Sequence, residues 1–390
     1  MATERMLAHV EKIVNIEPIA DCDNIEYVTV LGWHVIQRKN SVKVGDKVVY
    51  IEIDSKVPSS NPAFAFLESR NYKVKSIKMR GVISQGLIMA FEDLGLNADD
   101  YAVGDDVTGT LGITKIYTEE ELRLQREESY LNRIKNGKNG TTNKLIKWLL
   151  RFKWFRRIAL RNNGKKTKGF PDFIRKTDEI RIENAPDLLK DNEKKWIQTE
   201  KIDGTSSTYA VKFYSKRRHE FIVCSRNVRQ PHSMTADQLK SNPNNYWEIA
   251  LKYSIEKALV DLHKKLGLAK EDVLILQGEI IGDSIQGNPY KISGHEFFGY
   301  NLTVSNIKTK EYSRFDSVTA KHYLKPYNIN WVPILGTTTL PKTMEAMKLL
   351  AEGNSTINPK IKREGLVYRS EDGSVSFKNV SNSYLLKHNQ

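Results

Sequence analysis

The stretch from Thr199 to Tyr209, TEKIDGTSSTY, places a lysine, a carboxylate and a glycine within four positions. A lysine amine is a nucleophile only when unprotonated, and its reference pKa is about 10.4. Neighbouring cations or partial burial lower that value enough for attack on phosphorus or a carbonyl carbon. In an extended segment Asp203 shares a face with Lys201, and Gly204 allows backbone to approach a ligand closely. A K-x-D-G tetrapeptide is nevertheless a short pattern in a chain with 61 Lys and Arg. Whether Lys201 does chemistry depends on partners further along the chain.

Five later segments carry complementary groups. Ser225-Arg226-Asn227 ends an apolar run and offers a guanidinium fork to phosphate or ribose. Gly278-Glu279-Ile280 puts a carboxylate near the end of another apolar run. EFFGYN, from Glu296, presents Phe297 and Phe298 as faces for a base. EGLVYR places Glu364 at a strand start, and SFK supplies a late lysine, Lys378. Taken singly, each residue has an ordinary reading: a core phenylalanine, a surface acid, a solvated lysine.

The elements that must position these groups are legible from periodicity. Residues 1–115 read as about five short strands, a pattern that suits an OB-fold or an SH3-like barrel. GWHVIQRK and KVVYIEID read as a hairpin around VKVGD, and YKVKSIKM with GLIMAFE as a second pair around Gly81. The segment between Pro58 and Asn71 reads as a long loop. Residues 117–134 read as a charged helical connector. From 169 to 390 the pattern is mixed α/β, with strands at WIQTEKID, SSTYAVKFY, EFIVCSR, VLILQGEIIG, HEFFGYNLTV, EGLVYRS and SVSFKNV. One helix is expected over 246–266, stopped by Gly267.

Composition narrows the class. No run approaches the roughly 18 apolar residues of a membrane span, and MATERMLAHVEKIV lacks the apolar core of a secretory leader. Only Cys22 and Cys224 are present, which argues against a disulfide framework or a cysteine zinc site and for a cytoplasmic or nuclear protein, not a secreted one. Of the net charge of +14, residues 133–168 carry +13 with no acid, leaving +1 for the rest. Within them, NKLIKWLLRFKWFRRIAL alternates bases with aromatics, as an amphipathic basic helix would. Nucleic-acid contact, membrane-surface binding and plain packing compete to explain it; nucleic acid leads once the downstream groups are considered.

In their order, EKIDG, QGEI, EFFGYN, EGLVYR and SFK resemble motifs I, III, IIIa, IV and V of the covalent nucleotidyltransferase superfamily of ATP-dependent ligases and capping enzymes. VGDKVVYIEIDSKVP, RGVISQGL, FPDFIRKTDEIRIEN and SNSYLLKH further resemble its Deinococcus-type RNA ligase branch, so the resemblance covers most of the chain. It implies an α+β protein with three parts. Residues 1–115 would be an OB-fold domain that binds nucleic acid, and 116–168 a helical connector that includes the basic segment 144–161. Residues 169–390 would be an ATP-grasp-like nucleotidyltransferase domain with antiparallel sheets. It also implies a reaction: Lys201 takes AMP from ATP, AMP passes to a 5′-phosphate end, and a 3′-OH end attacks to seal the strand. The substrate would be RNA or a nicked duplex with RNA on the 3′-OH side. Glu200 would recognise adenine through its backbone, and Phe297, or less favourably Phe298, would stack on it. Asp203, Glu279 and Glu364 would bind ribose or hold Mg²⁺ or Mn²⁺, mostly through water. Gly204 and Arg226 would approach the nucleotide, and Lys378 would neutralise the α-phosphate. Crowding by Lys378, Arg226 and the metal would depress the Lys201 pKa. The protein would act as a monomer without a membrane.

Two departures stand out. The second lysine of motif V is Val380, with Lys387 as the substitute, and Ser206 stands where some RNA ligases carry Asn. A DNA ligase or capping enzyme fits less well, because those place an OB domain after the nucleotidyltransferase domain. A non-catalytic RNA-binding protein would not need the carboxylates.

Overall fold

The computed structural model describes residues 5–116 and 168–388, apart from 192, 231, 232, 242 and 372. The helical connector and the basic helix expected over 144–161 lie outside the described residues. The described chain packs as two compact units. One draws on residues up to Ile116, on Thr177–Asp203 and on the chain from Val332; the other draws on residues 168–176 and on Gly204–Trp331.

In the first unit a five-stranded sheet runs in the order Trp33–Arg38, Ile25–Val30, Ala8–Pro18, Lys47–Ile51, Leu87–Met89. The first strand serves two neighbours because its register shifts between Ile13 and Asn15. Its first half pairs with Lys47–Ile51 and its second half with Ile25–Val30. Such a bulge bends a strand and lets a sheet curl into a barrel. GWHVIQRK and KVVYIEID therefore form strands but not a hairpin, since two strands separate them. Gly81 does turn a hairpin, Ile77–Met79 with Val82–Ser84, whereas Leu87–Met89 leaves it to pair with Lys47–Ile51. The expected loop before Asn71 contains a 3₁₀ helix, Pro62–Arg70, opened by a proline and by the Asn61 side chain accepting from Ala63 N. Alternation along the strands buries Ile13, Val28, Val30, Trp33 and Tyr50 on one face, and Val380 and Leu385 from the far end of the chain complete that cluster.

The same unit holds a second five-stranded sheet, ordered Ile180–Arg181, Ser376–Val380, Gly365–Ser370, Trp196–Lys201, Ile334–Thr338. Its pairings are antiparallel except the first. Trp196, Tyr368 and Phe377 pack with Ile182 and Met347 beneath it.

The second unit is built on an eight-stranded sheet centred on Thr205–Phe213, Asp272–Gly282 and His295–Asn306. Asp272–Gly282 has strands on both sides, and Val273 to Gly278 are buried without a break, which explains its continuous apolar run. The helix expected over 246–266 is two helices, Asn245–Lys252 and Ile255–Lys265. Ser254 breaks them with a left-handed φ of 47°, a conformation for which no glycine or asparagine gave warning. The second presents Ile255, Ala258, Leu259 and Leu262 inward, an apolar stripe of helical period. Gly267, at φ 64°, ends it as expected.

Candidate active site

Lys201 closes the strand Trp196–Lys201, and antiparallel register sets it opposite Gly365. That pairing brings Glu364, the residue just before its own strand, to Lys201: Nζ and Oε1 are 2.6 Å apart, with side-chain exposures of 27% and 12%. Burial raises the Glu364 pKa above the carboxylate norm, Lys201 opposes the rise and Asp203 adds to it. Glu364 Oε2 is buried with no hydrogen-bond partner among the described residues. Lys378 lies on the neighbouring strand, opposite Val367. Burial lowers its pKa, and Arg181 and Lys201 lower it further against the pull of Asp178, which its ammonium meets at 3.0 Å. Lys201, Asp203, Glu364 and Lys378 thus form one interacting group within the first unit.

Glu200 is held through both its backbone and its carboxylate. Its backbone N–H is taken by the Pro333 carbonyl at 2.9 Å. Its carboxylate, 1% exposed, accepts from Thr356 N through Oε2 at 2.7 Å, leaving Oε1 buried and unsatisfied among the described residues. The position of Val380 is closed to a lysine, because its side chain is 3% exposed in the apolar cluster under Trp33. Lys387 is exposed on the helix Asn382–His388.

Arg181 and Asp178 lie in the stretch FPDFIRKTDEIRIEN, yet motif order does not mark them as site residues. Arg181 lies beside Lys378 in parallel register. It is 7% exposed, and its guanidinium meets Asp54 at 2.9 Å and stands over the Trp33 ring. Nothing local signals that role, because its partners are more than 100 positions away.

The second unit carries the remaining candidates. Glu279 lies opposite Ser206 on one side and Phe298 on the other, so the three share a face. Ser206 Oγ is 2.9 Å from the Tyr300 hydroxyl. Phe298 is half-buried on that face. Phe297 points the other way: it is fully buried, with its ring edge-on to Tyr209 at 5.5 Å. A ring with no exposed surface offers no face to a base, so the order of preference between the two phenylalanines is reversed. Gly204 is required by its own sheet: a Cβ there would stand 2.4 Å from the Ile280 carbonyl and 2.8 Å from Glu279 Cγ. Gly278 is likewise pinned, with 2.3 Å from a Cβ to the Phe297 ring. Arg226 is exposed directly after the strand His219–Ser225.

No three His, Cys, Asp or Glu side chains among the described residues form a ready-made metal cage. No helix among them is long and apolar enough to cross a membrane.

A curled barrel sheet ahead of antiparallel sheets that pair a strand-end lysine with a buried glutamate defines a ligase, with an OB-fold domain and a mixed α/β ligase domain. The family models agree: residues 7–91 match an OB-fold domain and residues 194–387 match RNA ligase. Among solved structures, Naegleria gruberi RNA ligase with pyrophosphate superposes with a TM-score of 0.75 at 30% identity, covering 99% of each chain. A lysine-to-alanine mutant of that enzyme with ATP and Mn gives 0.74 at 30%, covering 98% of this chain and 99% of that one. A glutamate-to-alanine mutant with AMP and Mn gives 0.74 at 30%, covering 99% of each. None of the curated proteins compared by sequence matches. The chain belongs to the RNA ligase family.

Proposed function

We propose that this enzyme is an ATP-dependent RNA ligase that works through a lysyl–AMP intermediate and seals nicks with RNA on the 3′-OH side. The observation that carries the reading is the contact between Lys201 Nζ and Glu364 Oε1, 2.6 Å in a half-buried setting. Burial raises the carboxylate's proton affinity, which narrows the gap to the amine, so Glu364 is placed to take the proton that Lys201 must lose. The freed amine attacks the α-phosphorus of ATP: an N–P bond forms, the bond to the bridging oxygen breaks, and pyrophosphate leaves. Lys378 supplies positive charge where the transition state gathers negative charge on phosphate oxygens. AMP then passes from Lys201 to a 5′-phosphate, and a 3′-OH displaces it to form the phosphodiester.

Divalent metal is the second requirement. The available donors, Asp203, Glu279 and Glu364, are hard oxygen ligands of the kind Mg²⁺ and Mn²⁺ take, with water filling the remaining positions. The unsatisfied Oε2 of Glu364 fits that demand. When bound, such an ion neutralises phosphate charge. Adenine stacking falls to Phe298, whose ring keeps an exposed face, and Arg226 contacts the nucleotide. On this reading residues 1–115 bind RNA, 116–168 connect, and 169–390 carry adenylation, in a monomer. The Naegleria structures named with ATP, AMP, pyrophosphate and Mn support the use of ATP and a divalent metal.

The test is incubation with α-labelled ATP and Mn²⁺, followed by denaturing electrophoresis. The wild type is expected to retain label and Lys201→Ala to lose it. An adduct of equal yield in the variant would end the assignment.

A further inference from the structure

The barrel domain of an RNA ligase is expected to meet a polyanion, yet residues 1–116 hold 16 Asp and Glu against 13 Lys and Arg, a net charge of −3. Attraction to phosphate must therefore come from a local surface. One segment qualifies. Residues 69–91 contain Arg70, Lys73, Lys75, Lys78 and Arg80 and no acid. The other basic stretch, from Arg38 to Lys47, contains Asp46, and its Asn40 N–H is bonded to the Glu26 carboxylate.

The acid-free segment lies in the connection between the barrel strands Lys47–Ile51 and Leu87–Met89. It forms a ribbon, Ile77–Met79 with Val82–Ser84, that is a two-stranded sheet of its own, apart from the five-stranded barrel sheet. Its base is fixed: Ile36 N donates to Ser84 Oγ at 3.0 Å, Gln85 N to the His34 carbonyl at 2.8 Å and the Tyr27 hydroxyl to the Ile83 carbonyl at 2.7 Å. Ser76, Ser84 and Gln85 at that base are buried. The tip is the opposite. Lys78, Met79 and Arg80 are exposed, and neither cation has an ion pair among the described residues.

Two details argue that the charge is kept for a partner. The tip is a two-residue turn with φ 51° at Arg80 and 84° at Gly81. Such turns favour Asn-Gly or Asp-Gly, so an arginine there carries a conformational cost. On the strand leading into the ribbon, Lys73 lies directly opposite Lys56, and like charges facing each other across a sheet are destabilising.

We propose that the ribbon Ile77–Ser84 is the barrel domain's RNA-contacting finger, with Lys78 and Arg80 on the phosphates of the nicked duplex and Met79 against ribose or a base edge. In OB-folds the connection between the last two barrel strands is among the loops that contact oligonucleotides. This role rests on the RNA ligase reading, and the experiment keeps the two apart. Binding of a labelled nicked duplex with an RNA 3′-OH strand is titrated at several salt concentrations for wild type, Lys78→Ala/Arg80→Ala and, as a control, Lys39→Ala/Lys43→Ala. The ribbon variant is expected to bind at least about tenfold more weakly at low salt and to lose about two units of log–log salt slope, as two lost phosphate contacts require. The control should keep the wild-type slope, and both variants should form lysyl–AMP at the wild-type rate. A ribbon variant with wild-type affinity and slope overturns the proposal. Absence of lysyl–AMP in the wild type would instead overturn the ligase reading.

Discussion

Two buried groups of charges in the first unit are built from similar residues and left in opposite conditions. Glu52, 2% exposed, is saturated: Arg5 Nε donates to Oε2 at 2.6 Å, Asn184 Nδ2 donates to Oε1 at 2.5 Å and His9 Nε2 is 3.4 Å away. Asn184 in turn accepts from the Trp33 indole N–H, so the network ties the barrel to the 177–203 segment. Burial would raise the Glu52 pKa, but His9 and Arg5 outweigh it and hold it below the carboxylate norm. Glu364 has one partner, Lys201, and an oxygen with none, and burial wins there. A buried charge that is fully partnered holds structure, whereas one left short of partners is poised for a ligand that completes it.

The largest expected effect lies at the incomplete group. Glu364→Gln removes the proton acceptor beside Lys201 while keeping its shape. Rates of lysyl–AMP formation should fall by about 10²-fold or more, the scale of losing a group that acts in the transition state. Stability should fall by less than the roughly 3–5 kcal/mol that breaking a fully partnered buried pair costs, because burial already works against the ionised Glu364. Chemical denaturation and single-turnover adenylylation on the same preparation separate the two. A variant that destabilises strongly while keeping its adenylylation rate would mean that Glu364 is structural, and the contrast with Glu52 would collapse.

The next effect lies at the complete group. Glu52→Ala leaves Arg5, His9 and Asn184 facing an emptied carboxylate position, and breaking such a set costs about 3–5 kcal/mol. The midpoint of denaturant unfolding should fall accordingly, while the folded fraction still forms lysyl–AMP. Loss of adenylylation without loss of stability would join the two groups into one functional unit.

The sequence carries these groups unequally. Lys201, Glu364 and Lys378 lie within short motifs at strand ends, so their order is readable, and register alone then brings them together. The Glu52 network draws on positions 5, 9, 52 and 184; no local pattern links them, and only the fold does. Strand positions are legible from alternation, but partners are not: the hairpin expected around VKVGD does not form, because a bulge lets Ala8–Pro18 take two neighbours. The choice between Phe297 and Phe298 goes astray for a related reason. Alternation shows that adjacent rings face opposite ways, but the irregular register between Gln277 and Gly278 and the packing of Phe297 against Tyr209 decide which faces the core. The split at Ser254 is a tertiary effect with no composition signal.

The smallest expected effect is a pH dependence that belongs to the complete group. Burial alone would lower the His9 pKa, but hydrogen bonds to Glu11, at 2.8 Å, and to Glu52 outweigh it and lift the value to about 9, from 6.5. A histidine whose folded pKa exceeds its unfolded pKa stabilises the protein fully below about 6.5, and that contribution is lost as pH rises through about 9. A difference of this size corresponds to about 3 kcal/mol. The lowered Glu52 acts in the other window: its contribution is present above the carboxylate norm and is lost as pH falls through its depressed value. Wild type and His9→Gln should therefore differ by about 3 kcal/mol in unfolding free energy near pH 6 and converge as pH passes about 9, with adenylylation by the folded protein following neither curve. Parallel stability curves across that range would show His9 neutral in the fold, and the saturated network would then rest on Arg5 alone for its positive charge.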